Sequence, residues 1–235
     1  RIRSKGFLIA IGVNAEGNRE VLGFTVADGE SKEGWSGFFE SLKERGLRDV
    51  DLVVSDDHGG LKGAIREQFH GASWQRCQTH FSRNVLDKTP KKVQTEVHTG
   101  LNDMYNAPDL KTALERKDRL LERMQEQAPK AVEILDEGFE DVTAVFGLPV
   151  AYRKRLRTTN SIERQNEELR RRERVIRIFP NEESLIRLMG SVLMDIHEKW
   201  TTGKKYFTMD KYYDERDAAK KKAKEDRPKH LHIVS

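Results

Sequence analysis

The sequence has a single cysteine, Cys77. No disulfide can form within the chain, and such cysteine usage fits a reducing, cytosolic compartment. It also lacks a long apolar run. The longest, Phe7 to Val13, is far short of the roughly 18 residues that a membrane-spanning helix needs, and no signal peptide opens the chain. There is no internal repeat and no Pro/Gly/Ser-rich low-complexity segment. A disulfide framework, a membrane span and a repeat array are thereby excluded. The chain begins at Arg1, in mid-pattern and with no Met, and the expectation is that further residues precede it.

What is present is enough for a substantial core. The 235 residues, 36% hydrophobic and 35% charged, suit one large soluble domain or two small ones. The net charge of +4 is modest, so its distribution says more than its total. Between positions 151 and 178 lie ten cations (Arg153, Lys154, Arg155, Arg157, Arg164, Arg170, Arg171, Arg172, Arg174, Arg177) against four glutamates, and the tail carries Lys220, Lys221, Lys222 and Lys224. A polyanion is the natural partner for such clusters.

Periodicity orders the chain. Phe7 to Val13 and Glu20 to Val26 flank a polar loop at 14–18 and read as a β-hairpin. Trp35, Phe38, Phe39 and Leu42 recur at helical spacing between Ser31, an N-cap, and Gly46, a stop. Asp51 to Ser55 is a short strand, and Leu61, Ala64, Ile65 and Phe69 form the stripe of a second helix. A mixed sheet with helices packed on it is expected. From about 88 to 150 strand signals vanish and the pattern is helical. Asn181 opens a further helix with Glu182 and Glu183 in its first turn, and its stripe from Leu185 to Ile196 should pack on the sheet. The basic tail from about 203 to 235 reads as a loose appendage or a partner surface.

Several residues could carry chemistry. Asp56 follows the carboxyl end of a strand, where open α/β sheets gather functional groups; alternatively Asp56 or Asp57 caps the next helix. Glu163 shares a helical face with Asn166, Glu167 and Arg170, yet Asn160-x-x-Glu163 also has capping-box spacing. The surrounding arginines suit phosphate contacts or a solvated helix face. Should Asp56 and Glu163 meet at ~4 Å, their repulsion of ~4 kcal/mol at an effective dielectric of about 20 would require an offset. A hard divalent cation such as Mg²⁺ would provide it, and two such ions suit phosphodiester hydrolysis and strand transfer. A two-carboxylate glycosidase would want aromatic sugar platforms rather than an arginine field. Cys77 and His80 offer only two ligands for a structural zinc. They read as a buried thiol and a polar histidine or, with Trp74 stacking on a base, as contacts flanking the active site; Trp74 reads equally as core.

Four stretches carry a resemblance: "FLIAIGVNAEGNREVLGF" from Phe7, the segment Ser55 to Leu61, "WQRCQTHFSRNVLDKTPKK" from Trp74, and "RTTNSIERQNEELRRRERVIRIFPNEES" from Arg157. In this order they resemble the Mutator-type transposases of bacterial insertion sequences, over roughly residues 5 to 200. The resemblance implies an α/β, ribonuclease H-like mixed sheet flanked by helices, with an all-helical insertion at about 88–150, in a single catalytic domain. It implies a three-carboxylate site whose second aspartate is Asp56 and whose glutamate is Glu163, both metal ligands for two Mg²⁺ or Mn²⁺ ions. His58, Cys77 and His80 fall on accompanying signature positions. From the residues' own chemistry, Trp74, Arg164, Arg170, Arg171, Arg172 and Arg174 are the candidate DNA contacts. The substrates implied are double-stranded DNA at terminal inverted repeats and target DNA, and the protein implied is a homo-oligomer in the bacterial cytoplasm, associated with the nucleoid. In the family the first aspartate lies on a strand upstream of the stretch that starts at Arg1. No residue in 1–30 matches it, and Asp28, after the second hairpin strand, is no substitute. The chain alone is therefore expected not to transpose. The alternatives are a non-catalytic DNA-binding remnant and a metal-dependent nuclease.

Overall fold

The computed structural model describes residues 5–176 and 179–225; Arg177 and the side chains of Lys220, Lys222 and Lys224 lie outside the described part. The expected hairpin pairs β1 (Gly6–Val13) antiparallel with β2 (Arg19–Ala27). Asn14 closes its turn, the side-chain oxygen accepting the amides of Glu16 and Asn18 at 3.1 and 2.9 Å. Then follow α1 (Lys32–Glu44), β3 (Leu52–Ser55), α2 (Gly59–Gln68), β4 (Ser73–Arg76) and α3 (Gln78–Asp87). The helical block comprises α4 (Gln94–Tyr105), α5 (Leu110–Met124) and α6 (Pro129–Thr143), and α7 (Val150–Leu156), α8 (Asn160–Ile176), α9 (Glu182–Thr201) and α10 (Asp210–Glu225) complete the chain. The caps read from the sequence are in place: Ser31 accepts the Gly34 amide and Asn181 the Ser184 amide.

The unbroken apolar run of β1 follows from burial on both faces, because successive strand residues point to opposite sides. Leu8 packs with Trp35, Phe38, Phe39, Leu42 and Ile65 of α1 and α2. Ile9, the next residue, packs with Leu169 of α8 and with Met189 and Leu193 of α9. The hairpin is thus a middle layer between two helical layers, and α9 covers the sheet as its stripe foretold.

The single mixed sheet does not form among the described residues. β3 pairs parallel with β4, Leu52 opposite Ser73 through Ser55 opposite Arg76, and this pair and the hairpin are two separate two-stranded sheets. They share a core, since Val53 and Trp74 pack on the cluster that holds Leu8, but no backbone ladder joins them. The mixed α/β class holds; one continuous sheet is corrected to two.

The helical block has a core of its own, including Leu101, Met104, Leu120, Leu135 and Val142, into which α3 inserts Phe81. Two devices tie it to the strands. Gln75 of β4, fully buried, donates to the Val142 carbonyl at 2.9 Å and accepts the Val145 amide at 2.9 Å. Gly138 of α6 lets Phe81 approach so closely that a Cβ there would lie 2.3 Å from the ring.

The tail is not loose over its first part. Phe207 is buried, and the amides of Tyr206 and Phe207 donate to the Gly17 carbonyl at 2.8 and 3.0 Å. Gly17 has φ +89°, and a Cβ on it would stand 2.0 Å from the Phe207 oxygen, so the hairpin turn and the tail fit only with glycine there. The Tyr213 hydroxyl donates to the Ala15 carbonyl at 2.9 Å and that of Tyr212 to Asp51 at 2.5 Å. The four aromatic residues of this lysine-rich segment, Tyr206, Phe207, Tyr212 and Tyr213, carry enough apolar surface to dock it.

Candidate active site

β3 ends at Ser55, whose carbonyl accepts the Cys77 amide at 2.8 Å, continuing the parallel ladder one residue beyond the strand. The Ser55 hydroxyl accepts the Trp74 indole N–H at 2.8 Å. These bonds fix the exit of Asp56 from the sheet and the entry of the chain into α3, so that His80, in the first turn of α3, faces Asp56. His80 Nδ1 lies 2.5 Å from Asp56 Oδ1.

The third element arrives from far along the chain. The Gln78 amide donates to the Arg157 carbonyl at 2.9 Å, holding the segment before α8 against the start of α3. Thr159 follows, 8% exposed. Its amide and its hydroxyl reach Cys77 Sγ at 3.4 and 3.2 Å, and the same hydroxyl lies 2.9 Å from Glu163 Oε1 and 3.5 Å from Asp56 Oδ1. His80 Nε2 is 3.6 Å from Glu163 Oε1. One imidazole therefore spans the two acids, Nδ1 toward Asp56 and Nε2 toward Glu163, with Thr159 as a second bridge. The side chains of Asp56 and Glu163 remain 51% and 41% exposed, open to a ligand, whereas Cys77 is fully buried.

The capping alternatives are not what these acids do. The N-cap of α2 is His58, with no side-chain capping bond, so neither Asp56 nor Asp57 caps it. α8 begins at Asn160, one residue earlier than a capping box with Asn160 as cap requires, and Glu163 accepts from the Thr159 hydroxyl. Asp57 turns away from the pair, 3.0 Å from Arg76 and 3.5 Å from Lys62, and Lys62 also meets Asp141 of α6 at 2.9 Å. These residues line a charged cleft of about 530 Å³ behind the loop.

Of the accompanying residues, Cys77 and His80 join Asp56, their ligand atoms lying within 4.8 Å of one another; exposed His58 stands outside this group. The donor chemistry is divided. Asp56 and Glu163 offer exposed carboxylate oxygens suited to a hard divalent ion, while the thiol of Cys77 is buried beneath both donors of Thr159. Trp74 is half-buried against the α1/α2 cluster, with Lys62 Nζ over its ring at 4.1 Å. Arg171 and Arg172 both bind Glu168, at 2.8 and 2.9 Å, and hold its carboxyl down at about 2. Among the described residues Arg164, Arg170 and Arg174 have no carboxylate partner. Arg157 is pushed below the usual arginine range by burial and donates to Asn106 at 3.0 Å. Thr159 gave no signal in the sequence, because its role rests on contacts with residues about 80 to 100 positions away.

A family model described as "Transposase, Mutator family" matches residues 1–203. The chain is 46% identical over 214 residues to the transposase for insertion sequence element IS256 in transposon Tn4001 of Staphylococcus aureus, covering 90% of this chain and 55% of that protein. It is 39% identical over 222 residues to the transposase for insertion sequence element ISRM5 of Rhizobium meliloti, covering 94% and 56%. To the transposase for insertion sequence element IS1081 of Mycobacterium tuberculosis it is 41% identical over 203 residues, covering 86% and 49%. The chain spans about half the length of the curated relatives it matches.

Proposed function

The chain belongs to the Mutator family of transposases, and from this we propose that Asp56 and Glu163 are two of three metal-holding carboxylates that cut DNA at transposon ends and join the freed 3′-hydroxyl to a target phosphodiester. The observation that carries the reading is the His80 bridge: 2.5 Å to an acid at the end of β3 and 3.6 Å to one on α8. Two exposed acids from distant parts of a basic chain converge, and among the described residues neither pairs with a lysine or arginine. Such a pair is set to take a cation.

When bound, two divalent ions, Mg²⁺ or Mn²⁺, would activate a water or 3′-hydroxyl and stabilise the leaving oxygen. The chain's own residues supply position. Asp56 is aimed by the Ser55–Cys77 ladder bond, and Glu163 by the Thr159 hydroxyl. Thr159 is itself locked by Cys77. An imidazolium with one ring nitrogen toward each carboxylate places a positive charge between them, which would offset their repulsion before a metal arrives.

The domain is read as ribonuclease H-like. The hairpin and the β3–β4 pair lean on one core without pairing with each other, each leaving strand edges unpaired among the described residues. A further strand seated between them would join both into one mixed sheet and could deliver the third carboxylate beside Asp56. Asp28 does not serve, because it is engaged by Lys5 at 2.5 Å. On this reading residues 1–235 alone do not transpose.

The test is metal-dependent cleavage by the full-length protein of DNA carrying the terminal inverted repeats, followed through to joined product. Cleavage together with joining supports the reading; cleavage that never yields joined product makes the protein a nuclease, and binding without cleavage makes it a DNA-binding remnant.

A further inference from the structure

Two arginines, one of them next in sequence to Glu163, gather around a third, Arg19. Arg19, the first residue of β2, lays its guanidinium over the Trp200 ring at 4.2 Å and the Tyr206 ring at 4.6 Å. Arg155 of α7 lies over the same Tyr206 ring at 4.8 Å and over Phe207 at 5.7 Å, and donates to the Tyr206 carbonyl. Arg164, exposed in the first turn of α8 and next in sequence to Glu163, donates to the Asn160 carbonyl at 3.3 Å. Arg19 is held below the usual arginine range, first by burial, with the charges of Arg164 and Arg155 acting in the same direction. Among the described residues none of the three pairs with a carboxylate.

That is a local choice and not a shortage of acid. Elsewhere Arg116 pairs with Asp103, Arg123 with Glu96, Arg187 with Glu183, and Arg171 and Arg172 with Glu168. Arg19 lies within electrostatic reach of both other guanidinium groups and is repelled by them. Rings clamp the planes of two of the three and so remove much of the ordering entropy that ligand binding would otherwise cost. Flat guanidinium groups that keep N–H donors beyond those given to the Tyr206 and Asn160 carbonyls match the paired oxygens of a phosphodiester.

We propose that Arg19, Arg155 and Arg164 form a clamp for the DNA backbone on the Glu163 side of the site, binding phosphate without regard to sequence. The proposal rests on Glu163 marking the catalytic site, and it adds two arginines, Arg19 and Arg155, that lie outside the α8 basic run. The competing role is structural: the same stacks could serve only to fasten residues 206–213 to the hairpin turn.

The experiment is fluorescence anisotropy of a labelled duplex of random sequence, titrated with the full-length protein over a range of KCl concentrations, with a thermal melt of each variant. The variants are Arg155→Gln, Arg164→Gln and Arg19→Lys. Expected is a fall of about 0.9 in the log–log salt slope for each glutamine substitution, with Arg19→Lys keeping the slope. Unchanged slopes in both glutamine variants overturn the clamp, whether or not their melting temperatures fall. Trp200→Leu, which removes a ring and leaves the charges, covers the case in which an arginine variant fails to fold: a kept slope with weaker binding supports the clamp, and wild-type affinity overturns it. Running Glu163→Gln in parallel separates the two readings. If it still cleaves while the arginine slopes fall, the catalytic assignment fails and the clamp stands; if it is inactive while the slopes stay, the reverse holds.

Discussion

Cys77 receives both polar groups of Thr159, the amide nitrogen at 3.4 Å and the hydroxyl at 3.2 Å from Sγ. This buried contact joins the start of α3, which carries His80, to the start of α8, which carries Glu163. The histidine–acid geometry depends on it, because no other side chain among the described residues touches Cys77, Asp56 and Glu163 together.

Thr159→Val should therefore lower cleavage by roughly 10- to 100-fold, the usual consequence of loosening an outer support of a metal site. It should cost about 1–3 kcal/mol in stability, since it removes a buried hydrogen-bonding group. Thr159→Ser, which keeps the hydroxyl, should restore most of the activity. Single-turnover cleavage and urea melts check this; equal rates for the valine and serine variants would remove Thr159 from the site.

Phe81 of α3 rests on Gly138 of α6, where a Cβ would lie 2.3 Å from the ring. Phe81 is fully buried and cannot swing aside. Gly138→Ala should destabilise by about 1–3 kcal/mol, the ordinary cost of overpacking, and should shift α3 and with it His80. Calorimetry together with a cleavage rate tests both halves, and a melt indistinguishable from wild type would contradict the close approach.

Tyr212 anchors α10 by donating to Asp51 at 2.5 Å, and burial, followed by that bond, pushes its hydroxyl up to about 12 from 10.0. A raised folded value means that the neutral phenol is favoured in the docked state. Its contribution is fully present below pH 10 and is lost as pH rises through about 12. Docking of α10 should weaken across that interval, and Tyr212→Phe should flatten this part of the profile. Limited proteolysis of the tail as a function of pH reads it out.

Much of this arrangement was legible in the sequence, and the gaps have physical causes. The hairpin, α1 with its Ser31 cap and α9 with its Asn181 cap announce themselves because local chemistry decides them. Ile162 and Leu169, one heptad apart, do face the hairpin. β4 did not announce itself: "SWQR" has no apolar alternation and becomes a strand through its pairing with β3. Gln75, polar and in a strand without apolar alternation, is fully buried, because its amide satisfies two backbone groups near the end of α6. Thr159 gave no sign of its role, and the tail aromatics gave none of their docking, for the same reason, their partners being distant in sequence. Among the site residues, Asp56, Glu163, Cys77 and His80 were named and are found together, while His58 and Trp74 stand apart from them.

If Asp56 and Glu163 hold divalent ions, Mn²⁺ should raise the melting temperature of the wild-type protein by binding the folded state. The expected gain is about 2.7 kcal/mol at a hundredfold excess over the dissociation constant. The double variant Asp56→Asn/Glu163→Gln should show none of it. An equal shift in both proteins would locate metal binding elsewhere.

The most direct test is single-turnover cleavage of inverted-repeat DNA by the full-length protein and three single variants: Asp56→Asn, Glu163→Gln and Asp57→Asn. Asp57 is the internal control, adjacent in sequence but turned toward Arg76 and Lys62. Losses of roughly three orders of magnitude or more are expected for Asp56→Asn and Glu163→Gln, as when a catalytic unit loses one member, with Asp57→Asn cleaving within about tenfold of wild type. Comparable rates for all three variants would contradict the account.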